Sequence, residues 1–156
     1  MKTYVKEYKD LSKDELYRIL RLRLSVFVLE QDRMYQDLDE KDEGAIHVFI
    51  KDDDDTDIIA YARVLDQNIN SEHVTITRVI SNKRGLGLGK KIIKESLKAA
   101  KSYFHPQKIY LEAQKHAQGF YEKLGFKKIS GDYDNGGITH VEMTTTSENV
   151  KRLIED

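Results

Sequence analysis

The stretch from Ile76 to Tyr103 constrains this chain more than any other. Ile76-Thr77-Arg78-Val79-Ile80-Ser81 has the β-branched character of a strand, and Arg84-Gly85-Leu86-Gly87-Leu88-Gly89-Lys90 follows as a glycine-rich turn. From Gly87 to about Tyr103, Ile92, Ile93, Leu97 and Ala100 recur at helical spacing. A strand that passes through a tight turn straight into an amphipathic helix calls for a sheet with helices packed on it. The glycines let successive backbone N–H groups turn inward and let a ligand approach the main chain. The helix behind them adds unpaired N–H groups and the positive end of its dipole, so the segment is built to cradle phosphate.

The rest of the chain supplies the sheet. Residues 4 to 8 read as a first strand, and Ser12 with Glu15 three residues later forms a capping-box pattern at the start of a helix. Leu16, Ile19, Leu20, Arg23 and Phe27 keep helical spacing, which predicts a helix or helix pair with one face on the core. Ile46 to Ile50, Ile58 to Asp66 and His73 to Ser81 read as strands separated by Asp/Asn turn clusters, and Lys108 to Gln114 as a fourth. Ala117 to Leu124 is a short helix stopped by Gly125, and Ile138 to Thr146 closes the sheet. The acidic run Asp52-Asp53-Asp54-Asp55 reads as a solvated hairpin loop, because calcium loops space their ligands and include a glycine. Helices between strands predict one α/β domain over residues 1–156, with a mixed sheet covered on both faces.

Composition narrows the class of partner. Charged residues are 34% of the chain, yet 26 basic and 27 acidic side chains leave a net charge of −1. That balance gives no general attraction to nucleic acid or anionic lipid, and directs attention to a small molecule. There is no cysteine, which removes thiolate chemistry, disulfides and thiolate metal sites. The first seven residues lack the apolar core of a signal peptide, and no apolar run approaches the roughly 20 residues a membrane span needs. A cytoplasmic protein that touches neither membrane nor nucleic acid is the expectation, and no metal-ligand cluster stands out.

Three phosphate-binding patterns compete for the loop. Gly85, Gly87 and Gly89 have the wrong spacing for the Rossmann Gly-x-Gly-x-x-Gly, and Gly89-Lys90-Lys91 does not complete a P-loop. Arg84, Gly87 and Gly89 satisfy Arg/Gln-x-x-Gly-x-Gly/Ala, and the segment resembles the pyrophosphate loop of the GNAT superfamily of N-acetyltransferases. A second stretch strengthens the resemblance: Gln114 ends a strand, and Phe120-Tyr121-Glu122-Lys123-Leu124-Gly125-Phe126 is similar to the family's Phe-Tyr-x-x-x-Gly-Phe. Read without the upstream loop, Tyr121 is an aromatic packing residue on a small helix; the loop favours a catalytic one.

The resemblance implies the GNAT fold, with a mixed, mostly antiparallel central sheet and helices on both faces, and acetyl-CoA as acyl donor. It implies that Arg84, Gly85, Leu86, Gly87, Leu88, Gly89 and Lys90 hold the pyrophosphate. Val79, Ile80 and Ser81 would bind the pantetheine arm through main-chain groups, joined by Gln114, Phe120 and Lys123. The Val79 N–H would donate to the thioester oxygen, and Tyr121 would protonate the departing thiolate. Attack would be direct, in a ternary complex. The general base is open among Glu30, His47, Glu112, His116, His140 and a water chain.

Over about residues 5 to 145 the chain is similar to the ElaA-type branch of this superfamily. Arg21-Leu22-Arg23-Leu24-Ser25-Val26-Phe27-Val28-Leu29-Glu30-Gln31, then Tyr35-Gln36-Asp37-Leu38-Asp39, carry the likeness, with Arg33-Met34 standing where relatives often have Cys-Pro. That departure is expected to alter a loop and not the chemistry. Arg23, Glu30, Gln31, Tyr35 and His140 are the expected lining of the acceptor pocket, for an amine of a small molecule or peptide. A homodimer is the family habit. Two other functions compete: a catalytically silent acyl-CoA-binding module, which would need no Tyr121, and a nucleotide-binding domain, which lacks a Walker lysine.

Overall fold

The computed structural model describes residues 1–82 and 85–155. Strand β1 (Lys2–Glu7) leads into helix α1 (Lys13–Arg23), which continues as a π-helical segment over Leu24–Glu30. Strands β2 (Ile46–Lys51), β3 (Ile58–Leu65) and β4 (Val74–Ser81) precede helix α2 (Leu88–Phe104). Then come β5 (Lys108–Gln114), the short helix α3 (Gln118–Lys123), the short strands β6 (Lys127–Lys128) and β7 (Tyr133–Asn135), β8 (Ile138–Thr146) and helix α4 (Ser147–Glu155). They form one sheet in the order β1-β2-β3-β4-β5-β8-β6, with β7 also on β8. β4 and β5 run parallel, and the other pairings are antiparallel. No helix among the described residues is long and apolar enough to cross a membrane.

Each face of the sheet has its own core. Ile92, Ile93, Leu97 and Ala100 of α2 and Val150 of α4 pack with Val48, Val64, Ile76, Leu111 and Met143 on one face. Ile19 of α1 and Phe27 of the π segment pack with Phe49, Ile58, Tyr61 and Ile80 on the other. The capping box at α1 is complete: the Glu15 N–H donates to Ser12 Oγ at 3.0 Å and the Ser12 N–H to Glu15 Oε1 at 2.9 Å. The acidic run is the turn between β2 and β3, closed by Asp52 N–H to Asp57 O at 2.9 Å.

The structure adds β6, β7 and α4 to the expected elements. Strands of two and three residues are too short for alternation to register, and α4 presents Val150, Leu153 and Ile154 to the core from an otherwise polar sequence. The helix after β8 carries its apolar residues at 3- and 4-residue intervals, a signal that sits at the edge of what one short helix can display.

Two irregularities shape the centre of the sheet. Pairing between β4 and β5 is confined to Val74↔Ile109 and Thr75↔Tyr110, so beyond Thr75 the strands part and a cleft opens between them. On the other edge of β4, Thr77 faces Arg63 and Ile80 faces Tyr61, leaving Arg78 and Val79 opposite Ala62 alone. This is a β-bulge, and Arg78 takes the strained φ of 57° that it requires.

Candidate active site

The cleft between the splayed strands is a cavity of about 410 Å³, within the range of small-ligand sites. Two groups of its lining residues matter here: Val79, Ile80, Ser81, Gly89, Phe120 and Tyr121; and Glu30, Gln31, Arg33, Tyr35, Asn135 and His140. Glu112 and Gln114 of β5 and His116 just after it complete the lining.

Local folding places the first group. Arg78 and Val79 fall outside the β3–β4 register, and β5 has already separated, so Val79 has no ladder partner on either edge of β4 where it lines the cleft. At the mouth of α2, Gly87 is left-handed with φ 66° and no side chain caps the helix. The first intrahelical bond is Lys91 N–H to Gly87 O at 3.1 Å, so the amides of the first turn have no acceptor within the helix. Tyr121 is packed edge-on to Phe120 and Phe126, with centroids 5.2 and 5.8 Å away. Burial pushes its hydroxyl well above the usual tyrosine value, so it keeps its proton at any physiological pH.

The second group is positioned by the π-helical segment. Gln31 N–H reaches back to Val26 O, and Arg33 N–H to Val28 O, each at 3.2 Å. These wide turns direct Val26, Glu30 and Gln31 to the cavity while Phe27 also reaches the core. Gln114 donates from Nε2 to Gln31 Oε1 at 3.1 Å, a bridge across the cleft. His140, opposite Gln114 in the β5–β8 pairing and 5% exposed, donates from Nδ1 to its own strand at Ile138 O, 2.7 Å away. A carbonyl can only accept, so that bond puts the proton on Nδ1 and leaves the Nε2 lone pair uncommitted in the neutral ring.

Below the cavity lies a buried ionic cluster that the sequence did not foretell as such. Asp37 Oδ1 accepts from Tyr35 Oη at 2.6 Å and Arg78 Nε at 2.9 Å, and its Oδ2 from Arg23 Nε at 3.0 Å. Asp39 and Asp42 both bind Arg63, and Asp42 also binds Arg23 at 2.6 Å. Burial works against the carboxylates of Asp39 and Asp42, but their arginine hydrogen bonds outweigh it and both pKa values fall. Burial, aided by the bond to Asp37, pushes Tyr35 up to about 12.

Several expectations are corrected by this geometry. Arg23 does not line the acceptor cavity; its side chain is 0% exposed and held by Asp37 and Asp42. Arg23 instead follows the helical spacing of Ile19 and Phe27, which buries it with the core face of α1. His47 is removed as a base: its Nδ1 meets Tyr61 Oη at 2.7 Å, its Nε2 meets Asp42 O at 2.9 Å, and it is buried away from the cavity. Leu88 carries its side chain into the core, so only its amide faces the loop. Gly85, Leu86, Gly87 and Lys90 stand at the exposed mouth, and Lys123 is exposed on α3, none of them in the cavity wall. Arg84 lies outside the described residues. Arg33 joins the wall unexpectedly; its only signal was the departure Arg33-Met34.

Residues 7–147 match the family model described as an acetyltransferase (GNAT) domain. The chain belongs to the GNAT acetyltransferase family. It is 35% identical to protein ElaA of Escherichia coli over 138 residues, covering 87% of this chain and 90% of that protein. The crystal structure of E. coli ElaA superposes with a TM-score of 0.84 at 32% identity, covering 92% of this chain and 98% of ElaA. An acyl-CoA N-acyltransferase from Pseudomonas aeruginosa superposes with a TM-score of 0.85 at 33% identity, covering 94% of this chain and all of that one. The GNAT sheet with its parted β4 and β5 is thus the fold of this protein, in its ElaA-like branch, and acyl transfer is the chemistry of the family.

Proposed function

We propose that this protein is an acetyl-CoA-dependent N-acetyltransferase that acylates a primary amine by direct attack in a ternary complex. The observation that carries the reading is that Gly89 at the start of α2, Val79 of the bulged strand and the buried Tyr121 all line one cleft. Acetyl-CoA would supply the thioester. The loop 85–90 would hold its pyrophosphate through main-chain N–H groups, and the edge of Val79–Ser81 that β5 leaves unpaired would take the pantetheine arm. Gln114, Phe120 and Lys123 would flank that arm.

Each remaining requirement of the reaction has a group of this chain. The Val79 N–H donates toward the carbonyl oxygen as charge builds there. The Tyr121 hydroxyl holds the proton that the sulfur takes when the C–S bond breaks. The amine nitrogen forms the new bond to carbon and loses its proton to His140 Nε2, whose tautomer the Ile138 carbonyl sets. Glu30, Gln31 and Tyr35 form the acceptor wall.

Thiol release from acetyl-CoA, followed across amines, amino sugars, polyamines and peptides, tests the reading. Acceptor-dependent release is the expected result. Tight coenzyme A binding with no release from any acceptor would instead support a silent acyl-CoA-binding module. Failure to bind coenzyme A at all would overturn the assignment of the loop.

A further inference from the structure

We propose that Arg33 makes the acceptor site selective for an amine that also carries a carboxylate, an amino-acid type of acceptor. This deepens the reading above and rests on it. Of the four buried or nearly buried arginines near the cavity, three are matched by carboxylates: Arg23 by Asp37 and Asp42, Arg63 by Asp39 and Asp42, Arg78 by Asp37 and Asp39. Three aspartates thus balance three arginines. Arg33 is 8% exposed, lines the cavity, and has no carboxylate within ion-pair distance among the described residues.

Its polar groups are equally short of partners. Nη2 makes two long contacts of 3.4 Å, to Asn135 O and Asn135 Oδ1, and Nε is buried with nothing to donate to. A buried guanidinium left in this state is costly, and a ligand anion in the cavity would repay the cost.

The position is built and not incidental. The guanidinium carbon sits 4.5 Å from the centroid of the Tyr35 ring. On Gly136, whose φ is 64°, an added Cβ would come within 2.6 Å of Arg33 Nε. A side chain at 136 would have to displace the guanidinium from this position, and the positive φ there favours glycine. Tyr35 is itself tied to Asp37, and Asn135 donates from Nδ2 to Glu112 Oε2 at 3.2 Å. The neighbours of Arg33 are thus held by the same frame that holds β4 and β5.

Charge selects the kind of anion. One unmatched guanidinium faces the cavity beside Glu30, Glu112 and His140. A carboxylate of charge −1 matches it, whereas a phosphate dianion would meet the two glutamates with an excess of negative charge. The same glutamates and the free Nε2 of His140 suit the ammonium end of the molecule. An acceptor with both ends complements the wall.

The test compares α- and ω-amino acids with their amides as acceptors, in the wild type, Arg33→Met and Arg33→Lys, by thiol release from acetyl-CoA. In the wild type kcat/KM should favour the acid over its amide by about a hundredfold, the scale of losing one partner of a buried charged hydrogen bond. Arg33→Met should bring that ratio near one through a raised acceptor KM, and Arg33→Lys should restore part of it. Coenzyme A affinity, measured by calorimetry, should be equal in all three, which also reports folding. Equal use of acids and amides by the wild type, or a ratio unchanged in Arg33→Met, would overturn the proposal while leaving the transferase reading intact. If no acid turns over and none binds the enzyme–coenzyme A complex by calorimetry, the proposal is likewise overturned. Loss of coenzyme A binding by the wild type would overturn the transferase reading itself.

Discussion

Replacing Asp37 by asparagine keeps the shape of the side chain and removes one charge from a site that is 0% exposed. Three donors converge on its two oxygens: Tyr35 Oη and Arg78 Nε on Oδ1, Arg23 Nε on Oδ2. An amide offers only one acceptor oxygen, so in either orientation an NH₂ group faces an N–H or O–H donor. Arg23, also fully buried, keeps Asp42 and the Asp37 carbonyl but loses half its countercharge. Breaking one side of a buried ion pair costs about 3–5 kcal/mol. At roughly 2–4 °C per kcal/mol for a chain of this size, Tm should fall by about 6–20 °C. The control is Lys115–Asp132, which has a similar N–O distance of 2.8 Å but side chains 46% and 49% exposed. Asp132→Asn should cost no more than about 1 kcal/mol. Urea unfolding of both variants, with m-values checked for two-state behaviour, measures the contrast. An Asp37→Asn loss as small as that of Asp132→Asn would refute the claim that burial, and not bond length, sets the worth of these pairs.

Three further outcomes are expected. Tyr121→Phe should retain coenzyme A binding and lose about one to three orders of magnitude in kcat, and equal turnover would remove Tyr121 from the mechanism. His140→Gln should lower kcat/KM by about 10²-fold at neutral pH, with the deficit shrinking at high pH where the amine needs no base; a deficit constant across pH would give His140 a structural role instead. Asp39 and Asp42 titrate lower in the folded chain than their ordinary 3.8. The folded state then binds fewer protons, so their stabilisation is complete above that value and drains away as pH falls below it. Urea midpoints that stay level between about pH 5 and pH 2 would contradict this sign.

What the sequence made legible was whatever depends on local periodicity or on one residue's special geometry. β5 and β8 keep the bounds that alternation and turn residues predicted, and α2 starts one residue after the glycine that caps it. The strand-to-helix turn was readable because Gly85 and Gly87 take positive φ, a backbone that other residues rarely adopt. Pairing of charges was not, since Arg23 finds Asp37 14 residues on, and Arg78 finds Asp37 41 residues back. Topology, not spacing, decides those partners. The π-helical segment was hidden for a related reason: its hydrogen bonds lengthen by one residue per turn, so a helical count begun at Ser12 arrives at Glu30 on the wrong face. Arg33 was noticed as a departure and assigned to a loop, because its isolation is visible only once every aspartate nearby is seen to be taken.

Asp37 also has a consequence for the reaction that stability alone does not capture. One of its oxygens binds Tyr35, in the cavity wall, and Arg78, the residue at left-handed φ in the bulge. The same carboxylate therefore fixes the ring that Arg33 stacks on and the bulged strand that carries Val79. The strain of an arginine at φ 57° persists only if its surroundings over-determine it, and here two aspartates grip its guanidinium. Acceptor position and carbonyl polarisation would then vary together, because a shift in the cluster moves both walls of the cleft. A sheet split between two parted strands has no ladder of its own to keep those walls in register. The buried ions supply that register on one side of the cleft, and the Gln31–Gln114 bridge supplies it across the opening.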